Sequence, residues 1–151
     1  MIWFADTSAL VKRYVNEAGS QWLRRELARN QVSIAQITSV EMMAALGRRY
    51  RKGNISQFAL YQFRRRFLAH RAKRQYQIIE LSAPMIEEAM RLAVAYELRA
   101  YDAVQLATAL SALKGVGRSR FVFVTADSQL EATCVAEKMT VENPLNHWNH
   151  R

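Results

Sequence analysis

The sequence predicts an α/β protein with one mostly parallel sheet covered by helices on both faces. Short apolar segments alternate with longer amphipathic segments along the chain, and alternating strands and helices typically form parallel βαβ units. With only 5 glycines and 2 prolines, the connections are expected to be short. The 151 residues, half of them hydrophobic, suit one domain with a buried core.

Five short segments rich in apolar, β-branched and aromatic residues are predicted to be strands. They are Ile2–Ala5, Val32–Gln36, Tyr76–Leu81, Arg120–Thr125 and, as a last short strand, Met139–Glu142. In a parallel sheet the carboxyl ends of such strands share one edge, which is where binding sites form.

Segments with helical periodicity fill the intervals. The predicted helices are Ser8–Val15, Ser20–Arg29, Thr38–Lys52, Ser56–Arg74, Pro84–Leu98, Tyr101–Leu113 and Asp127–Lys138. Gly53 and Asn54 are typical helix-stopping residues, and Pro84 favours the first turn of a helix. We expect Lys114–Ser119 to form a loop.

The predicted domain covers residues 1–144, with a basic helical arm at about 42–74 and a tail at 145–151, whose Trp148 either docks on the domain or is loose. The N-terminus lacks the basic start and apolar stretch of a secretory signal, and no segment approaches the ~20 apolar residues of a membrane span. A lone cysteine, Cys134, fits a reducing compartment. We therefore expect a cytoplasmic protein that does not enter a membrane.

The charge of the chain indicates a polyanionic partner but does not identify which kind. The formal net charge is +9 and the sequence pI is about 10.2. A protein this basic attracts polyanions, which include nucleic acids, anionic lipids and acidic proteins.

Four acidic residues occupy positions from which they can point to one place. Asp6 directly follows the first strand, and Asp127 follows the fourth by two residues. Glu41 lies in the first turn of the helix after the second strand, and Asp102 opens another helix. If the sheet is parallel, Asp6, Glu41 and Asp127 lie at one edge, and Asp102 reaches it from a helix start.

Each acid taken alone also has a structural explanation. Asp6 could cap the helix at Ser8, and Thr38-x-x-Glu41 matches a capping box. Asp102 and Asp127 could be N-caps or first-turn acids that suit the helix dipole. Gathered in one pocket, however, four carboxylates would repel strongly, so a cluster requires bound cations or raised pKa values. Mg²⁺ and Mn²⁺ prefer such hard oxygen ligands and can assist phosphodiester hydrolysis.

Four motifs together resemble those of PIN-domain nucleases, most of all the VapC-type toxins of type II toxin–antitoxin pairs. The motifs are Phe4–Lys12, Thr38–Glu41, Leu98–Ala103 and Val124–Asp127, and they occur in the family's order and spacing. The resemblance covers the chain from Ile2 to about Pro144. Two departures are minor, with Ala100 where many relatives have glycine and Gln105 where many have histidine or another polar residue.

The resemblance implies a three-layer α/β/α sandwich and an endoribonuclease that depends on Mg²⁺ (or Mn²⁺). It assigns the metal site to the four acids, with Asp6 and Asp102 as direct ligands, while Glu41 and Asp127 often act through water. Ser8 and Thr125 match small hydroxyl residues that line such sites, although a helix cap and a strand-end hydroxyl explain them equally well. Arg99 matches a basic position that could contact phosphate or simply be solvated.

The resemblance also implies partners: a homodimer and a small cognate antitoxin protein that covers the arm and blocks the pocket. The arm itself contains no acidic residue from Met42 to Ile79. Its basic residues suggest an RNA-backbone surface, in particular Arg48, Arg49, Arg51, Lys52, Arg64, Arg65 and Arg66. The interleaved aromatic residues favour packing over base stacking, and the arm could instead serve a dimer contact, an antitoxin contact or a solvated face.

Three functions remain open from the sequence. The first is an endoribonuclease that is the toxin of a toxin–antitoxin pair. The second is the same nuclease in RNA maturation or decay without an antitoxin. The third is a non-catalytic module that binds RNA or protein and uses the acids structurally.

Overall fold

The sheet is parallel, as predicted. The computed structural model describes residues 1–147. Its strands are β1 (Ile2–Ala5), β2 (Gln31–Ala35), β3 (Gln77–Ile79), β4 (Phe121–Val124) and β5 (Val141–Glu142). They lie in the order β3-β2-β1-β4-β5, and every neighbouring pair is parallel. The chain thus runs outward from the central strand β1 in both directions.

Helices cover both faces and form the expected α/β/α sandwich. They are α1 (Thr7–Leu10), α2 (Ser20–Arg29), α3 (Thr38–Arg51), α4 (Gln57–Ala72), α5 (Ala83–Tyr96), α6 (Ala100–Val116) and α7 (Ser128–Ala136). No helix within residues 1–147 is both long enough and apolar enough to cross a membrane.

Alternate side chains of the strands divide the core into two clusters. Trp3 and Ala5 of β1 pack with residues of α1 to α4, whereas Phe4 packs with residues of α5, α6 and α7. This two-residue alternation is what a strand buried on both faces requires. Phe4 is fully buried and stacks on Phe123 of β4 at a centroid distance of 5.5 Å.

Several predicted boundaries were wrong by a few residues. The first half of the predicted loop Lys114–Ser119 is helical. Gly115 lies inside α6, which ends at Val116, and Gly117 follows as the C-cap with a φ of +86°. The predicted helix Ser8–Val15 is the short α1 followed by a 3₁₀ turn at Val11–Arg13. β3 is shorter than Tyr76–Leu81 and spans Gln77–Ile79. Tyr76, which precedes it, is buried, and its hydroxyl contacts Tyr14 and Arg13.

The helix α4, which forms the second half of the predicted arm, contacts the core lightly. Phe67 is its one fully buried side chain, and Leu60 and Phe63 are partly buried beside it. Most of its remaining side chains are exposed, including Phe58 and Tyr61. The aromatic residues of the arm therefore divide between packing and solvent.

The C-terminal segment returns to α2. A 3₁₀ turn spans Pro144–His147, and the His147 ring stacks on Trp22 at 3.9 Å between centroids. The predicted docking or looseness of Trp148 concerns residues outside the described part of the chain.

Replacement of Gly19 by alanine is expected to destabilise the protein. Gly19 has a φ of +83°, and an added Cβ atom would collide with the backbone carbonyl of Pro144. The strain and the collision together predict a loss of about 1–3 kcal/mol in the free energy of unfolding, measured by urea denaturation.

Gly115→Ala is the matched control. Gly115 lies inside α6 with open space around a new Cβ atom, so alanine should raise the free energy of unfolding by about 0.5–1 kcal/mol. Equal effects of the two substitutions would contradict the packing of Pro144 on Gly19.

Candidate active site

An acidic pocket lies at the point where the chain diverges across the sheet. β1 and β4 are neighbours, but the chain leaves them on opposite sides, and such switch points are where α/β proteins bind ligands. A cavity of about 210 Å³ opens there. The four predicted acids all line it: Asp6, Glu41, Asp102 and Asp127.

Asp6 is a buried carboxylate held by three donors. It is 3 % exposed and accepts hydrogen bonds from the Ala9 backbone N–H (2.9 Å), Ser8 Oγ (2.8 Å) and Thr125 Oγ1 (2.7 Å). Burial nevertheless raises the pKa of Asp6 to about 7, and the negative charge of Asp102 acts in the same direction. A cation in the pocket would favour the ionised form.

Ser8 and Thr125 position Asp6 and join the ends of two strands. The register pairs Ala5 with Val124, which places the residues that follow them side by side. Ser8 Oγ accepts a hydrogen bond from the Ala126 N–H at 2.9 Å, and Thr125 Oγ1 accepts one from the Asp127 N–H at 3.0 Å. Each hydroxyl therefore contacts both the carboxylate and the backbone after β4.

Glu41 is held by Gln105, a residue that the sequence marked only as a departure from the family pattern. Gln105 is 1 % exposed and donates from Nε2 to Glu41 Oε1 at 2.7 Å and to Thr38 Oγ1 at 2.8 Å. Burial raises the pKa of Glu41. The proposed capping box was wrong, because α3 has no side-chain cap and Thr38 already lies inside the helix.

A sequence signal for Gln105 did exist. It lies three residues after Asp102 on α6, which places both side chains on one face of the helix. Its immediate surroundings on α6 are apolar, with Ala103 and Leu106 buried. A buried amide needs hydrogen-bond partners, so a lone glutamine one turn from an acid indicates a polar contact nearby.

Arg99 joins the other two acids. Its Nε lies 3.1 Å from Asp102 Oδ2, and its Nη2 lies 3.5 Å from Asp127 Oδ2. The side chain is 78 % exposed, and the charge of Asp102 raises the pKa of Arg99. A guanidinium group is therefore the cation nearest these carboxylates.

The structural explanations for three acids are correct as well, since Asp102 is a first-turn acid of α6. Asp6 is the N-cap of α1, and Asp127 is the N-cap of α7, where it accepts a hydrogen bond from the Leu130 N–H at 2.9 Å. In Asp127 the cap uses Oδ1, while Oδ2 faces Arg99. Capping a helix and lining the pocket are thus compatible in one carboxylate.

The predicted basic residues divide between the pocket and the outer surface. Arg48 and Arg49 line the acidic pocket, but Arg49 is paired with Glu17 at 2.6 Å. Arg66 lies over the Tyr14 ring, with its guanidinium carbon 5.8 Å from the ring centroid. The remaining four are exposed and do not line the pocket: Arg51, Lys52, Arg64 and Arg65.

The donor chemistry fits a hydrated divalent ion. The acidic side chains of the pocket offer hard carboxylate oxygens, and Mg²⁺ is commonly held by one or two carboxylates with waters. Within residues 1–147, no three acidic, histidine or cysteine side chains come close enough together to form a ready cage. The pocket therefore suits a partly protein-bound ion better than an all-protein site.

A family comparison identifies the chain. The model of the PIN domain matches residues 3–136, so the chain belongs to the PIN domain family. PIN domains are nucleases that generally use divalent metal ions. A comparison with curated proteins found no match.

Solved structures share the fold at low identity. A toxin–antitoxin complex from Klebsiella pneumoniae is 22 % identical with a TM-score of 0.62, over 93 % of this chain and 96 % of that one. The VapC20 toxin of Mycobacterium tuberculosis, which cleaves the sarcin–ricin loop, is 19 % identical with a TM-score of 0.64, over 87 % and 94 %. VapBC2 from Rickettsia felis, bound to promoter DNA, is 16 % identical with a TM-score of 0.60, over 95 % and 98 %.

Asp6→Asn is expected to change how stability depends on pH. Because the pKa of Asp6 is raised from 3.8 to about 7, the folded state keeps a proton that the unfolded state releases between these values. Stability from this group is therefore lost as pH rises. In metal-free buffer, raising the pH from 5 to 8 should therefore lower the free energy of unfolding of the wild type, relative to that of Asp6→Asn, by about 2–3 kcal/mol.

Urea denaturation at several pH values measures this difference. Glu87→Gln, which removes an exposed carboxylate of α5 outside the pocket, should keep the wild-type trend. Parallel pH profiles for wild type and Asp6→Asn would show that Asp6 is not a buried carboxyl of raised pKa.

Proposed function

We propose that this PIN domain is an Mg²⁺- or Mn²⁺-dependent endoribonuclease and the toxin of a VapBC-type toxin–antitoxin pair. The observation that carries the proposal is the convergence of four carboxylates in one pocket at the ends of β1 and β4. Four carboxylates in one pocket repel one another, and a bound cation would offset this cost.

The residues of the pocket have separate roles in the proposed hydrolysis of an RNA phosphodiester bond. Asp6 and Asp102 would hold the ion, with Glu41 and Asp127 beside them. When bound, the ion supplies Lewis-acid stabilisation of charge on the phosphate. Ser8 and Thr125 keep Asp6 oriented through hydrogen bonds at 2.8 Å and 2.7 Å.

Glu41 and the arginines complete the proposed chemistry. Glu41 has a raised pKa and a fixed orientation, which suit a group that accepts and returns a proton in the pocket. Arg48 lines the pocket and is exposed, so its guanidinium group is available to phosphate oxygens. Arg99 can exchange its carboxylate partners for phosphate because its side chain is largely exposed.

The solved neighbours support the cellular role. They include a toxin–antitoxin complex and a toxin that cleaves the sarcin–ricin loop. At these identities they show the fold, and they support the role by analogy alone. By the same analogy, this chain would act in the cytoplasm, form a homodimer and be inhibited by a small antitoxin that covers the pocket.

Asp102→Asn should abolish RNA cleavage, by at least about 10²-fold in kcat, because one ligand of the ion is lost. Cleavage of labelled RNA in Mg²⁺ or Mn²⁺, with EDTA as the metal-free control, measures the effect. Circular dichroism and RNA affinity should stay close to wild type. Expression of the wild type alone should arrest growth, and expression of Asp102→Asn should not.

The controls separate the alternatives. Glu87→Gln, on the surface of α5, should cleave as wild type does. Cleavage without growth arrest would favour an RNA-processing nuclease with no antitoxin. If the purified wild type cuts no RNA with either metal, the remaining hypothesis is a non-catalytic module.

The arm is proposed to bind the RNA backbone, and its salt dependence tests this. Arg64→Ala/Arg65→Ala removes two exposed charges, while Arg66 is kept because it contacts Tyr14. For single-stranded RNA, each lost phosphate contact should reduce the slope of log K against log salt by about 0.7. Fluorescence anisotropy at several salt concentrations measures the slope.

The matched control is Arg25→Ala/Arg29→Ala, which removes two exposed arginines of α2 and should leave the slope unchanged. If the Arg64→Ala/Arg65→Ala variant keeps the wild-type slope but no longer dimerises, the arm is a protein interface and not an RNA surface.

A further inference from the structure

A second and larger cavity adjoins the acidic pocket. It has a volume of about 580 Å³ and lies between α3 and the start of α6. Four of its lining residues also line the acidic pocket: Glu41, Arg48, Arg99 and Asp102. The two cavities therefore meet at these four side chains. We refer to them together as the groove, of which the larger cavity is the second part.

The second part differs from the acidic pocket in chemistry. Its other lining residues are mostly apolar: Ile37, Val40, Ala44 and Tyr101. Val40 is 73 % exposed and Tyr101 is 66 % exposed, so neither serves the core. Exposed apolar side chains gathered next to a charged pocket indicate a surface that another molecule covers.

The position of Tyr101 is informative because of its neighbour in sequence. Asp102 faces the acidic pocket, while Tyr101 turns its ring to the apolar part of the groove. From Ala103 onward, α6 is mainly buried, which fixes the backbone that carries both residues. An exposed aromatic side chain therefore projects from a fixed backbone one residue from a proposed metal ligand.

The charges of the groove restrict the occupant. Arg48 and Arg99 lie where the apolar part meets the acids, so a ligand here combines a flat apolar group with an adjacent negative charge. A nucleotide has this composition, since its base stacks on aromatic rings and its phosphate pairs with guanidinium groups. An acidic amphipathic helix could also pair with these arginines, but a nucleotide additionally places a phosphodiester at the acids, as the proposed reaction requires.

We propose that this groove is a nucleobase subsite, in which Tyr101 stacks on the base of a nucleotide next to the phosphodiester that is cut. This inference rests on the proposed nuclease function and adds to it the element that recognises a base. Val40 and Ile37 form the apolar wall against the base, and Arg99 binds the adjoining phosphate. Tyr101 thereby makes the protein bind a strand that carries bases more tightly than a strand without bases.

Binding can be measured without cleavage, in EDTA, so that the test does not depend on catalysis. The probes are 5′-labelled hexanucleotides of adenosine and of uridine, and a hexamer of abasic ribose phosphate. Stacking on one aromatic side chain predicts that Tyr101→Ala weakens binding of the base-bearing strands about 5- to 100-fold and leaves the abasic strand unchanged. Tyr101→Phe should keep the wild-type preference.

Val94→Ala is the matched control, because Val94 is an equally exposed apolar residue (85 %) on α5, outside the groove. It should bind all three probes as wild type does. In Mg²⁺ or Mn²⁺, Tyr101→Ala should raise KM for RNA cleavage with a much smaller effect on kcat, whereas loss of an acid lowers kcat.

Two results would overturn the subsite. One is a Tyr101→Ala variant with the wild-type preference for bases over the abasic strand. The other is unchanged RNA binding together with a shift from dimer to monomer in sedimentation, which would make the groove a protein interface. A preference that depends on Tyr101 in a protein that cuts no RNA would uphold the subsite and remove only the nuclease function.

Discussion

The buried carboxylate of Asp6 is the constraint on which the site depends. β1 is the central strand, so the residue that follows it lies between the two halves of the sheet. A carboxylate there is tolerated because Ser8, Thr125 and the Ala9 N–H all donate to it. Those bonds do not fully offset burial, and the pKa of Asp6 is raised as a result. A cation in the pocket would offset the remaining cost by stabilising the ionised form.

The same hydrogen bonds also stabilise the fold. Thr125 and Ser8 connect the loop after β1 to the loop after β4, across a gap of more than 100 residues in sequence. Asp6 and Asp127 meanwhile cap the helices that follow their strands. The carboxylates of the proposed metal site therefore also stabilise local structure, and neither interpretation of an acid excludes the other.

The sequence predicted the features that depend on local pattern and missed those that depend on pairing between distant elements. Strand order could not be read from periodicity, but the ends of parallel strands had to share an edge, and this brought Asp6 and Asp127 together. Gln105 was underestimated because its partners, Glu41 and Thr38, lie more than 60 residues away. Arg49 was assigned to RNA, and its pairing with Glu17 likewise follows from tertiary packing alone.

The basic net charge of the molecule contrasts with the acidic side chains of its pocket. The net charge of +9 attracts polyanions from a distance, whereas the pocket itself is lined by acids that repel them at contact. Arginine side chains lie where the two regions meet. Arg99 lies at that boundary, bridging Asp102 and Asp127, and Glu17 is similarly neutralised by Lys12 and Arg49. Because the arginine at the boundary is largely exposed, its contacts with the acids are weak enough to exchange, and the acids stay accessible to a competing cation.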